Sequence, residues 1–293
     1  MKTHLINLLI IFIFITPLYS QTNDSLKTIP LDFQADNIDV DIEGNIYLLQ
    51  RTGNHLYKFY KAYQYDSIQR VGGAGTGQQA FNYPTGLSVI NRQEVYVLDQ
   101  QNRRLILLNT NLRPIRILNF AGQNYKIPEK DSEVEIYPSY FALGKTGEMF
   151  IVNSIDNQIF KFNQQGQLEM VFGGNNYGEG SFYQVSNLLV SNNNDVFIVD
   201  SAEQQIVVYN NFGVYQYKIP PFKEFKWKDC TLKNNQLVFW NDISIYEYDI
   251  NKNKLSSFVI ANNSEAISQL IDIEVLGNNW YILTKKSVIL RPE

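Results

Sequence analysis

The sequence predicts an all-β fold, a six-bladed β-propeller of four-stranded antiparallel blades, on three observations. A short apolar string recurs six times, a second strand-like segment follows each copy at a near-constant offset, and no stretch shows sustained helical periodicity. The strings occupy residues 45–50, 94–99, 148–153, 195–200, 236–241 and 279–284. Each opens on a polar residue, runs through four apolar ones rich in β-branched and aromatic side chains, and closes on a polar one. That composition suits a strand buried on both faces. The fifth residues of the strings (Leu49, Leu98, Val152, Val199, Trp240 and Leu283) lie 49, 54, 47, 41 and 43 apart. A propeller blade takes roughly 40–50 residues, so each string marks one blade.

Taken in order, the chain opens with an address rather than a structural element. Lys2 precedes an apolar run from Leu5 to Ile15 broken by Asn7, and Pro17 leads to a cleavage point after Ser20. Residues 1–20 therefore read as a signal peptide and 21–293 as the exported protein, of periplasmic or envelope-associated location. No later apolar run is long enough to cross a bilayer. The next segment, residues 26–33, is a spare strand ahead of the first full unit. The last unit ends after its third strand, so residues 26–33 are expected to complete it and close the ring, removing an open sheet edge. Pro30 fits an outermost strand, where a missing N–H is tolerated.

Within the units, the step from the end of each string to the next strand is six residues in the first four units and four in the last two. A third segment precedes each string and ends in a turn, with Gly44 and Gly147 supplying positive φ. The blade cores fall near 38–60, 87–109, 141–163, 188–210, 230–249 and 273–292, all within a single domain.

Residues 71–87, with Gly72, Gly73, Gly75, Gly77, Pro84 and Gly86, resemble the blade-to-blade linker and inner strand of the NHL-repeat family. Residues 99–105 are similar to that family's middle hairpin, and Asn54-His55-Leu56 carries its three letters. Residues 172–182 repeat the linker loosely, whereas the fifth and sixth units keep only the strand strings. The resemblance covers the whole exported chain and implies a six-bladed ring around a central channel. Small exported rings of this kind accompany outer-membrane secretion machinery, and an accessory place in a type nine secretion translocon is one expectation that follows from the resemblance.

Composition excludes several chemistries. A leader cut after Ser20 takes Lys2 with it and leaves 24 basic against 29 acidic residues, without a basic stripe, which argues against nucleic acid as a partner. Cys230 is the sole cysteine, so no intramolecular disulfide can form. Of the two histidines, His4 lies in the leader, so a multi-histidine zinc site cannot be assembled; a Ser-His-Asp or Cys-His arrangement would have to use His55, whose place at a hairpin favours a structural role. The glycines of 72–77 lack the lysine and helix of a phosphate-binding loop. No cofactor, catalytic group or metal site is expected. The reading is a non-catalytic binding or scaffold ring whose partners are other envelope proteins.

The alternative comes from resemblance to another six-bladed group, the calcium-dependent lactonases. That resemblance would place oxygen donors where inner strands begin, and alignment of the units brings Asn37, Gly86, Tyr140, Asn187 and Asp272 to equivalent positions, with Asp229 near the fifth. Asn37, Asn187 and Asp272 are the donors a hard cation would take, while Gly86 and Tyr140 interrupt the set. Two loops are candidate interaction surfaces: the acidic insertion 123–137, and residues 220–228. The latter interleaves Phe222, Phe225 and Trp227 with lysines that include Lys228, a composition favoured at interfaces.

Overall fold

The structure, a computed structural model, describes residues 26–90, 93–128, 130–223, 225–233, 236–258 and 269–292, so the leader expected at 1–20 lies outside the described residues. The chain folds as a six-bladed propeller of four-stranded antiparallel sheets with no α-helix among the described residues.

The first strand, β1 (Lys27–Pro30), belongs to the last blade. Blade one then follows as β2 (Asn37–Val40), β3 (Ile46–Gln50), β4 (His55–Phe59) and β5 (Ile68–Gly72). Blade two is β6 (Pro84–Ile90), β7 (Glu94–Asp99), β8 (Arg104–Leu108) and β9 (Pro114–Asn119). The acidic insertion forms a small hairpin, β10 (Asn124–Lys126) with β11 (Glu133–Glu135), ahead of blade three. Blade three is β12 (Pro138–Leu143), β13 (Met149–Asn153), β14 (Ile159–Phe162) and β15 (Leu168–Phe172). Blade four is β16 (Val185–Val190), β17 (Val196–Asp200), β18 (Gln205–Tyr209) and β19 (Tyr215–Ile219). Blade five is β20 (Asp229–Lys233), β21 (Gln236–Trp240), β22 (Ile245–Asp249) and β23 (Lys254–Phe258). Blade six is β24 (Leu270–Leu276), β25 (Asn279–Thr284), β26 (Ser287–Pro292) and, outermost, β1.

The six apolar strings are the second strands of the blades, and each is buried because its two neighbouring blades cover one face each. β13 and β17 are buried along their whole lengths. The core is divided into six apolar clusters, one at each seam between blades. At the seam of blades one and two, for example, Tyr47, Leu49 and Leu56 meet Phe81, Val95, Val97 and Ile106, all essentially inaccessible. Burying side chains of this size contributes roughly 1.5–3 kcal/mol each, so the seams hold the ring without a disulfide.

Turn chemistry accounts for the two hairpin lengths. In the first four blades the fourth residue after the apolar string is left-handed: Asn54 (φ 57), Arg103 (φ 50), Asn157 (φ 58) and Gln204 (φ 52). The longer turn needs that one residue, and the four-residue step of blades five and six dispenses with it. The glycine linker after β5 has its own organiser. Arg104 is buried, pairs through Nε with Asp99 at 2.8 Å, and donates to the carbonyls of Thr76, Gly77 and Ala80. Gly72, at φ 120, has no room for a side chain, since a Cβ would lie 2.2 Å from the Asn54 carbonyl.

Ring closure is by β1, which pairs antiparallel with β26 in the register Lys27 with Leu290 to Pro30 with Ser287. Ile29 is buried at the sixth seam beside Val288, Leu283 and Ala35. Ile29→Ala is expected to lower stability by about 2 kcal/mol or more, a fall of roughly 5 °C in Tm for a chain of this size. Thermal melting followed by circular dichroism checks this, and an unchanged midpoint would remove β1 from the closure.

Candidate functional site

The first strand of every blade (β2, β6, β12, β16, β20 and β24) has one edge hydrogen-bonded to its own sheet and the other turned to the ring axis. Between them lies a channel cavity of about 390 Å³. An edge strand leaves backbone N–H groups unpaired by its own sheet, and partners from elsewhere must satisfy them. Short polar side chains do so here.

Asp39 accepts from its own following amide, Val40 N at 2.6 Å, and from Val89 N of blade two at 2.6 Å. Asp272 accepts from Ile273 N at 2.8 Å and from Ile38 N of blade one at 3.0 Å. Asp229 accepts from Cys230 N at 2.8 Å, and Asn187 Oδ1 from Leu188 N at 2.8 Å. The Asn187 amide then donates to Asp229 Oδ1 at 3.1 Å and to the Cys230 carbonyl at 3.2 Å, joining blades four and five. Glu274 accepts from Val275 N at 3.0 Å. The same side chains thus finish the inner edges and staple one blade to the next.

Pairing registers define two levels in the channel. Opposite Leu49, Leu98, Val152, Val199, Trp240 and Leu283 stand Asn37, Gly86, Tyr140, Asn187, Asp229 and Asp272. Two residues further along each strand come Asp39, Ser88, Ala142, Leu189, Thr231 and Glu274. Asn37, Asn187 and Asp272 therefore do lie at one level, joined by Asp229. Gly86 interrupts the set because the Phe141 ring of the next blade would be 2.8 Å from any Cβ there.

Charge in this channel is one-sided. Asp36, Asp39, Asp229, Asp272 and Glu274 line it against a single cation, Arg51. Burial raises the carboxyl of Asp39 to about 7, aided by the neighbouring Asp272 and Asp41 charges and opposed by its two amide bonds. Burial, then Asp272, lifts Asp229 to about 8, and burial lifts Asp272 to about 6 against three stabilising hydrogen bonds. Glu274 is pushed well above the ordinary carboxylate range by burial and by Asp39 and Asp272. The Tyr140 hydroxyl, facing Asp229 on one side and Arg51 and Tyr83 on another, is also raised, chiefly by burial.

No group of three or more His, Cys, Asp or Glu side chains among the described residues is gathered closely enough to hold a metal. His55 pairs with Gln50 and Gly72 inside blade one and is not among the channel-lining residues. Cys230 is buried at the seam of blades four and five.

The segment 220–228 requires a correction. Its aromatics do not form an exposed face: Trp227 is buried, and Phe222 and Phe225 pack with it on Phe239, Tyr246 and Tyr248. Phe225 stacks on Tyr246 at 3.7 Å, and Phe222 on Phe225 at 5.2 Å. Lys228 is exposed and paired with Asp242. The mix of aromatics and lysines reflects a connector that seals a seam inward and is wetted outward. Of the expected anchors, Trp227 is a core residue and Phe222 and Phe225 are half-buried against the same cluster.

Solved structures of the same fold match almost the whole chain. Virginiamycin B lyase from Staphylococcus aureus superposes with a TM-score of 0.61 at 13% identity, covering 92% of this chain and 99% of the lyase. A gluconolactonase from Xanthomonas campestris gives a TM-score of 0.62 at 7% identity, covering 92% and 89%. The extracellular domain of a one component system protein from B. thetaiotaomicron gives 0.57 at 12% identity, and this chain spans 39% of that one. No family model matches the chain, and no curated protein sequence does. At these identities the likeness establishes the six-bladed ring alone. One of the lyase structures is a catalytically inactive histidine-to-alanine variant; among the described residues no histidine lines the channel here.

Asp39, Glu274 and Arg51 were not singled out in the sequence. The first two were within reach, since a strand side chain two residues beyond Asn37 or Asp272 shares its face.

The raised carboxyls carry a pH signature. A carboxyl whose folded value lies above its unfolded value near 4 contributes stability that is complete below pH 4 and is lost as pH rises through the folded value. For Asp272, Asp39 and Asp229 the loss runs upward from about pH 4 and is complete near pH 6, 7 and 8 respectively. Tm is therefore expected to fall as pH is raised from 6 to 8, and Asp229→Asn to flatten the upper half of that fall. A Tm independent of pH across the window would contradict these assignments.

Proposed function

We propose that the protein is a non-catalytic binding ring of the bacterial cell envelope whose channel mouth accepts a cationic group of its partner. The observation that carries this reading is the five carboxyl side chains set against one guanidinium in a single cavity. A cation entering the mouth restores the ionised form of groups that otherwise repel one another, so binding and relief of repulsion act together. Catalysis is the weaker reading because the carboxylates are committed to amides of their own and neighbouring strands, and because no histidine among the described residues lines the channel. A small accessory role beside an outer-membrane secretion machine is compatible with such a ring and rests on fold analogy alone.

A second reading, a calcium-dependent lactonase, is favoured by the level shared by Asn37, Asn187, Asp229 and Asp272 and by the fold of the gluconolactonase. The donors fit it poorly: Asn187 spends its oxygen on Leu188 N and turns its amide to Asp229, and Gly86 offers none.

Affinity capture from the native envelope with the wild-type ring and with Asp229→Asn/Asp272→Asn separates these readings. The double variant is expected to lose the captured partner while keeping its fold. A partner retained by the double variant would move the interface away from the mouth. Calcium-dependent turnover of a lactone panel, abolished by Asn37→Ala, would favour the lactonase.

A further inference from the structure

Two residues that line this cavity each carry a buried polar atom without a hydrogen-bond partner, and the two atoms are of opposite kind. Arg51 Nε is a donor and Asn37 Oδ1 an acceptor. A buried polar atom left unpaired costs about 1–3 kcal/mol, so two such residues around one cavity mark a place that another molecule completes.

Arg51 follows β3 directly, held by its own amide on Asp36 Oδ2 at 2.7 Å. Its guanidinium lies 5.5 Å from the ring centre of Tyr83. Tyr83 is in the left-handed region at φ 55 and is bonded through its amide to Asn54 Oδ1 at 2.6 Å, which fixes the ring beside the arginine. Arg51 and Tyr83 both influence the Tyr140 hydroxyl, as does Asp229, so the cation, the phenol and the carboxylate border one space. Asn37 shares its level with Asp229 and Asp272 and hydrogen-bonds Asp272 through its side chain. Arg51 and Tyr83 thus stand on blade one and the linker to blade two, beside Asp36, while Asp229 and Asp272 come from blades five and six.

We infer that the ligand taken at the mouth is a zwitterion, a free α-amino acid or a whole short peptide with both ends free, with its carboxylate on Arg51 and its ammonium between Asn37 Oδ1, Asp229 and Asp272. This rests on the reading of the mouth as a cation-accepting site and adds a carboxylate to it. An ammonium supplies three donors for the oxygens of Asn37, Asp229 and Asp272, and a carboxylate supplies the acceptors that the arginine fork matches. The cavity of about 390 Å³ is of the size that encloses small ligands. A plain amine would leave Arg51 Nε orphaned, and a plain carboxylate would meet the repulsion of five acidic groups.

The test is calorimetry at low salt with the free L-amino acids and triglycine, each beside its C-terminal amide and its N-acetyl form. At least one zwitterion is expected to bind saturably, with both blocked forms weakened tenfold or more. Arg51→Gln should abolish the preference for the free carboxylate while leaving the melting temperature unchanged. Asp229→Asn should weaken the zwitterion at least tenfold. Amides that bind as tightly as the free acids would overturn the zwitterion while leaving the cation-accepting mouth intact. Absence of binding by every form would overturn both. Binding unchanged in Arg51→Gln would remove the arginine from the site.

Discussion

The inner edges of the six blades are the constraint from which the rest of this molecule follows. A propeller buries its sheets face to face but leaves the first strand of each blade with one edge open to the axis. Those N–H groups cannot be left without partners. The chain answers with aspartate, asparagine and glutamate at inner-strand positions, each folding back onto its own following amide. Asp39 and Asp272 also reach the next blade, and Asn187 ties blade four to blade five. Apolar seams supply the bulk of the stability, and these polar clasps set how neighbouring inner strands meet.

This solution fills the axis with negative charge, and the energetics of the channel follow from it. Asp39, Asp229, Asp272 and Glu274 are each held by amides that favour ionisation, yet burial and mutual repulsion outweigh those bonds. The result is a cavity whose charge changes near neutral pH and which accepts a cation more readily than an anion. Rings of the same fold support a lyase and a gluconolactonase at 7–13% identity. The architecture leaves the chemistry open, and the function has to be argued from the side chains at the mouth.

The architecture was legible in the sequence because a buried strand has a strong local signature. The strings at 94–99 and 279–284 coincide with β7 and β25, and the spare N-terminal strand pairs where an unfinished last blade requires it. The channel was legible in part. Aligning the units brought Asn37, Gly86, Tyr140, Asn187 and Asp272 to one level and Asp229 near it, because register follows from the strings. Arg51 was not legible, since its approach to Tyr83 depends on a linker returning from the far edge of blade one. The segment 220–228 misled because composition alone does not say which face of a connector turns inward. Trp227 and Phe225 lie over Phe239 and Tyr246, contacts between segments that sequence spacing does not relate.

The central claim is that the channel carboxyls are fixed against one another and titrate near neutrality. Carboxyl carbon NMR on protein labelled at aspartate and glutamate measures this directly, with Asp39→Asn, Asp229→Asn and Asp272→Asn assigning the signals. The account predicts midpoints near 7, 8 and 6 for Asp39, Asp229 and Asp272, those of Asp39 and Asp229 moving down when Asp272 is neutralised. Midpoints near 4 for all three, indifferent to one another, would mean an open, hydrated channel and would contradict it.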